Sequence, residues 1–429
     1  MRPIGVDLFA GAGGLSLGFE QAGFDVVAAV EVDPVHAAVH KFNFPECAVI
    51  PRSVTEITGA DIRDAAAIGD KTVDVVFGGA PCQGFSLIGK RAFDDPRNSL
   101  VRDFVRIVAE LDATAFVFEN VKGLTVGKHR KFLFELIEEF EALGYAVQKD
   151  WRVLNAADYG VPQDRQRLIL MGAKRGAAVP EYPKVIPRRP TCMDALSDLP
   201  NAEAFEELRS SDAVETVTFG EPSRYAAAMR GMGNDAWGYG YPRAWNPDRL
   251  TSSARTEHTE ISRRRFRDTE PGRVEPVSRF FRLPPDGVSN TLRAGTDSAR
   301  GAFTSPRPIH YEYARCVTVR EMARLHGFPD WFRFNATKWH GARQIGNAVP
   351  PPLARAVAAS VIKALGVRRT RPTCSLELGD ERLLTMGSKE AAAHFGVDVT
   401  IGRRDRKSGA RKRSQGEVER DRLMGSVHV

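Results

Sequence analysis

The sequence predicts an α/β protein, a doubly wound and mostly parallel sheet accompanied by a second, smaller and irregular domain. Three observations carry that expectation. Over residues 1–175 short apolar runs alternate with stretches of helical spacing; a glycine-rich turn, "DLFAGAGG" (Asp7 to Gly14), joins the first run to the first helix; and between Gly176 and Val317 the alternation stops. Near-continuous apolar strands separated by helices are the pattern of a sheet covered on both faces.

Taken in order, Ile4 to Phe9 ("IGVDLF") reads as a strand, Gly13 to Ala22 as a helix, Asp25 to Glu31 as a strand, and Pro34 to Phe42 as a helix with proline in its first turn. The alternation continues through "VDVVFG" (Val73 to Gly78), a helix from about Asn98 to Leu111, "AFVFEN" (Ala115 to Asn120), the helix "RKFLFELIEEFEAL" (Arg130 to Leu143), and strands in "YAVQKDWRVL" and "RLILMGA". Residues 176–317 are rich in Pro, Arg, Gly and Trp ("PRRPTC", "GNDAWGYGYPRAWNPDRL", "SRRRFRD", "VSRFFRL") and read as loops and short strands. Residues 318–366 resume with "TVREMARLHGFPDWF" and "RQIGNAVPPPLARAVAASVIKAL", the latter a loop followed by an amphipathic helix. Residues 367–429 read as a polar, basic tail in which "SKEAAAHFGV" is a candidate helix and Arg403 to Arg413 a basic run.

Composition narrows the function. The chain has 429 residues, a net charge of +7 and five widely scattered cysteines (Cys47, Cys82, Cys192, Cys316, Cys374) without C-x-x-C pairs. That cysteine pattern argues against a disulfide framework or zinc site, and no metal is expected. The N-terminus enters a strand directly and no run approaches a membrane span, so a cytoplasmic protein is expected. The positive charge is compatible with a polyanion partner.

Ligands of open α/β sheets bind at the carboxyl ends of the strands. The glycine loop, Glu31, Cys82 and Glu119 all fall there. Gly11, Gly13 and Gly14 allow close backbone approach, but a dinucleotide fingerprint would want glycine where Ser16 stands, which disfavours a pyrophosphate. With Glu31 positioned for ribose hydroxyls, a nucleoside cofactor without pyrophosphate fits, hence S-adenosylmethionine. Cys82 in "GGAPCQGFS", Glu119 in "FENV" and Arg165 and Arg167 in "QDRQRL" converge on one sheet edge as a catalytic constellation, the two arginines pointing one way if extended.

The chain resembles the bacterial DNA (cytosine-5) methyltransferases over roughly residues 4–172 and 288–365, through "DLFAGAGGLSLGFEQAGF", "PCQGFS", "ENV", "QDRQR", "TVREMARLHGFPD" and "RQIGNAVPP" in the family's order. The resemblance implies that Cys82 is the nucleophile, that Glu119 faces cytosine N3, and that Arg167 with Arg165 binds the base carbonyl and a nearby phosphate. It implies a cofactor pocket lined by Phe9, Gly11, Gly13, Leu15, Glu31, Pro81, Leu100, Asn347 and Ala348. Where the family has an acidic residue facing the adenine amino group, this chain offers Ser53 and the backbone near Val54. "GFSLIGKRAFDDPRN", with Ser86 and Arg97, suits a flap closing over a flipped base, and Thr291, Leu292 and Arg320 belong with the DNA-reading domain. The expected protein is a monomer acting on duplex DNA, the modification partner of a restriction endonuclease cutting the same site. An RNA (tRNA) cytosine-5 methyltransferase and a non-catalytic, cofactor-sensing DNA-binding protein are the alternatives.

Overall fold

A computed structural model describes residues 2–81, 98–127, 129–215, 218–233, 235–296 and 305–398. Its centre is a sheet of eight strands: β1 (Ile4–Leu8), β2 (Asp25–Val30), β3 (Ala48–Ile50), β4 (Val75–Gly78), β5 (Ala115–Val121), β6 (Tyr145–Val147), β7 (Arg152–Asn155) and β8 (Gln166–Lys174). The order is β3-β2-β1-β4-β5-β8-β6, with β7 continuing the last edge beside β8. The four pairings from β3 to β5 are parallel and the three made by β8 are antiparallel. The expected mostly parallel, doubly wound sheet is what forms.

Alternation along the strands sends side chains to opposite faces. Val76, Phe116, Phe118, Leu168 and Leu170 pack with α3 (Gly59–Ala65), α4 (Ser99–Glu110) and α5 (His129–Ala142). Val75, Phe77, Val117, Ile169 and Met171 pack on the other face with α1 (Gly14–Ala22) and, from the far end of the sequence, α11 (Pro351–Ala364). Between them in sequence, α2 (Pro34–Asn43) follows β2 with Pro34 at its first position, and the Asp33 carboxylate accepts from Val35 N at 2.9 Å, an N-cap.

Among its described residues the second region holds three short helices, α6 (Cys192–Leu196), α7 (Arg224–Met229) and α8 (Glu260–Asp268), and one short pair of strands, β9 (Val214–Glu215) and β10 (Arg249–Leu250). Segments of low apolar content hid those helices from the sequence reading. "VSRFFRL", expected as a strand, forms isolated bridges only. A third core joins this region to α2, to α9 (Val319–His326) and to α10 (Lys338–Asn347).

Residues 367–398 depart from the expected tail. Leu376 bonds along Pro242 and Ala244, and α12 (Arg382–Thr385) and α13 (Ser388–Phe395) pack on α2, burying Leu383, Leu384, Ala391 and Ala392. A few apolar residues among many charges look like a tail in sequence, yet they suffice to close this core. The basic run from Arg403 lies outside the described residues.

Candidate active site

Between β1 and β4 the strand order reverses, and the carboxyl ends of these two strands frame the crevice. β1 leads into Phe9, whose φ of 62° begins a left-handed turn continued by Gly11 (55°) and Gly13 (106°). A Cβ on Gly13 would meet the Phe44 ring at 2.5 Å, so both backbone and space demand glycine there. Over Gly11, by contrast, a Cβ would meet nothing within 4 Å, so the loop faces open room.

Glu31 stands just past β2. Its Oε2 accepts from Gly11 N at 2.7 Å and its Oε1 from Asp33 N at 2.8 Å, which ties the glycine loop to the start of α2. Burial raises its pKa against the pull of His36 and these amides. Beneath the loop Asp7 is wholly buried, its Oδ2 accepting from the Ser16 hydroxyl at 2.6 Å while Oδ1 has no partner among the described residues. Desolvation pushes its pKa up to about 8. Sequence reading missed this pair, although a carboxylate in an apolar strand followed by a serine in the next helix was a signal.

On the other side of the crevice, Glu119 near the end of β5 pairs through Oε1 with Arg167 Nε at 2.8 Å. Burial raises the Glu119 pKa, opposed by Arg167 and then Arg165. Its Oε2 lies over Gly79, where a Cβ would stand 2.6 Å away, so glycine there keeps the carboxylate reachable. Asn120 donates to Ala80 O at 2.9 Å and fixes the chain one residue before Pro81, which is exposed at the rim. Arg167 also donates from Nη1 to Gln166 O, and among the described residues its Nη2 has no partner.

A model of the C-5 cytosine-specific DNA methylase family matches residues 5–363. The chain belongs to the C-5 cytosine-specific DNA methylase family. It is 60% identical over 406 residues to the type II methyltransferase M.XorII of Xanthomonas oryzae, covering 94% of this chain and 95% of that one. It is 35% identical to M1.HphI of Haemophilus parahaemolyticus over 83% of this chain and 86% of the relative. An E. coli prophage protein solved as a DNA modification methyltransferase superposes with a TM-score of 0.70 at 30% identity, covering 85% of this chain and all of that chain. Dnmt2 of S. pombe, at 15% identity and a TM-score of 0.51, shares the fold.

This cytosine-5 DNA methylase brings Phe9, Gly11, Gly13, Glu31, Pro81, Glu119 and Arg167 to one sheet edge. Leu15 is buried on α1 and Leu100 packs against the sheet core. Ser53 caps a single turn, its Oγ accepting from Thr55 N at 3.3 Å, and the Val54 carbonyl accepts from Arg106 at 2.7 Å. Asp61 completes a capping box with Thr58 at the start of α3. Asn347 is exposed at the end of α10 beside the half-buried Ala348.

Arg165 does not run parallel to Arg167. Lying before β8 begins, it is buried, and its guanidinium donates to the carbonyls of Leu292, Gly346 and Ala348 at 2.8–3.0 Å. Arg320, also buried, donates to Thr251, Pro329 and Phe332. Leu292 is buried, and Thr291 donates its hydroxyl to Asp164 O. Arg165, Leu292 and Arg320 thus hold the framework from inside rather than presenting side chains to DNA. Cys82, Ser86 and Arg97 lie outside the described residues. Among those described, no cluster of metal-ligand residues occurs and no helix is long and apolar enough to cross a membrane.

Proposed function

We propose that this enzyme transfers a methyl group from S-adenosylmethionine to C5 of a cytosine flipped out of duplex DNA, through a covalent bond between Cys82 and C6. The observation that carries this reading is the Glu119–Arg167 pair, with Glu119 Oε2 and Arg167 Nη2 unpartnered among the described residues, Glu119 standing on the strand beside the one that runs into Cys82 and Arg167 on the next strand across. The open room above Gly11 and the Glu31 carboxylate, each oxygen of which retains a lone pair for a ribose hydroxyl, support the cofactor.

Cytosine C5 is a weak nucleophile until a thiolate adds at C6. As the S–C6 bond forms, electron density moves toward N3. Glu119, kept protonated to higher pH by burial, donates to N3 and neutralises it, while Arg167 stabilises O2. When bound, S-adenosylmethionine supplies the electrophilic methyl group that C5 takes up. Loss of the C5 proton to water, return of the N3 proton to Glu119 and cleavage of the S–C6 bond then restore the ring, the carboxyl group and the thiolate. Extruding the base costs a few kcal/mol, which contacts to the splayed duplex offset.

The type II naming of the relatives supports a modification role beside a restriction endonuclease; the monomeric state and cytoplasmic setting belong to the same proposal. Bisulfite sequencing of DNA from cells expressing the chain is the test. Protected cytosines in one short sequence context are expected; an unmodified genome with methylated tRNA would overturn the DNA assignment. On DNA carrying 5-fluorocytosine, an adduct surviving denaturation is expected at Cys82, and mapping it to Cys47, Cys192, Cys316 or Cys374 would refute the nucleophile.

A further inference from the structure

In the second region, most of the basic and aromatic residues are already engaged. Trp237 stacks on Trp331, Tyr239 N donates to Gln21 O, and Arg243 forms a buried ion pair with Glu20 at 2.8 Å, so the 233–250 tract is fastened to α1. Each arginine of "SRRRFRD" faces a carboxylate: Arg263 pairs with Glu203, Arg264 with Asp268, Arg265 with Glu275 and Arg267 with Glu260.

The turn at 275–280 differs. Glu275 is buried, and its two carboxylate oxygens accept from Val277 N and Ser278 N, while Glu275 N bonds to Phe280 O and Arg279 N to Glu275 O. That closed network holds Arg279 at a φ of 62°, a left-handed conformation that costs a non-glycine residue roughly 1 kcal/mol or more. The Arg279 side chain is exposed and, among the described residues, its guanidinium has no hydrogen-bond or ionic partner. Arg279 lines a shallow cleft with Asn290, Thr291 and the exposed Arg293. This cleft abuts the active site, because Thr291 is bonded to Asp164 O and Leu292 to Gln163 and Arg165, two residues before Arg167.

We infer that Arg279 reads a guanine in the target sequence from the major groove, its fork of donors meeting O6 and N7. This rests on the proposed action on duplex DNA. A rigid turn that presents a guanidinium without an acidic partner suits a base edge, where position must be fixed; the paired arginines of α8 suit a general surface. Strain at Arg279 also makes a clean test available, since Arg279→Gly relieves the left-handed residue while removing the guanidinium.

The experiment methylates a library of randomised duplexes with the full-length wild type, R279G, R279K and the surface control R264A, and reads the sites by bisulfite sequencing. R279G is expected to keep methylating cytosine, with no fall in its melting temperature, while preference at one G·C pair relaxes roughly 10- to 100-fold. R279K should relax the same position, because an ammonium lacks the fork, and R264A should keep the wild-type pattern. Unchanged site preference in R279G, or full rescue by R279K, would overturn the inference in favour of a phosphate contact. A wild type that leaves no 5-methylcytosine in any duplex would overturn the underlying reading and this inference with it.

Discussion

Two buried carboxylates stand at the ends of two strands of one sheet, and they are held differently. Glu31, past β2, has each oxygen bonded to a main-chain amide, whereas Glu119, in β5, has one oxygen on a guanidinium and the other over a glycine. Both pKa values are raised by burial. Backbone amides cannot leave without refolding the loop, so Glu31 is a strut that also presents lone pairs. A side-chain partner can yield, so Glu119 can trade proton and hydrogen bond with a base.

Glu119→Gln tests the working end and has the largest expected effect. A neutral amide keeps the shape but cannot deliver the proton to N3, so methyl transfer should fall by roughly 10²–10⁴ with cofactor affinity little changed, as single-turnover rates and equilibrium binding would read. An equal fall in cofactor affinity would erase the distinction between the two ends.

Removing residues 367–429 probes the fixed end from behind. α12 and α13 brace α2, whose first turn adjoins Glu31, and uncovering Leu383 and Leu384's partners should cost roughly 3–6 kcal/mol. A lower melting temperature with a raised KM for the cofactor is expected; a truncated protein with unaltered melting would show the packing to be idle.

Glu31→Gln should be milder. Its amide nitrogen cannot accept from Gly11 or Asp33, so cofactor binding should weaken about tenfold while the single-turnover rate at saturation holds, given that one such hydrogen bond contributes about 1.5–3 kcal/mol when charged. Loss of the saturated rate to the extent seen in Glu119→Gln would move Glu31 into the chemical step.

Asp7→Asn sharpens the contrast through pH. A carboxyl whose folded pKa is raised from 3.8 to about 8 contributes stability fully present below the unfolded value and lost as pH rises through about 8. Asparagine mimics the protonated form, so the variant should gain on the wild type by several degrees of melting temperature between pH 4 and pH 8. Parallel melting curves against pH would show Asp7 to be ionised in the fold at ordinary acidity.

The strands were legible because their apolar runs are bounded by glycine, proline and charge, and the glycine loop because positive φ leaves few substitutes. The placement of Glu31 and Glu119 followed from strand ends, whereas Arg167 was reached through the alternation in "QDRQRL". What separates Arg165 from Arg167 was not legible: alternation assumes an extended chain, and β8 begins only at Gln166, so the earlier arginine turns inward to three carbonyls from distant segments. α13 was legible as the helix in "SKEAAAHFGV", but α12 and the docking of both helices on α2 were missed for a related reason. Two leucines and two alanines carry no periodic signal in a charged stretch, and their value lies in the partners supplied by α2.

The fastening of α1 and α2 also governs when the enzyme comes into being. α1 is covered by α11, and Asn43 at the end of α2 bonds to Arg333 across 290 residues of sequence, with α12 and α13 arriving later still. While the ribosome is still at work, the nascent amino-terminal half exposes the very surfaces those late segments cover, and loop-closure entropy delays their docking. The covers of α1 and α2 are therefore complete only once α11, α12 and α13 have emerged, and a chain terminated before α11 lacks the helix that closes one face of the sheet.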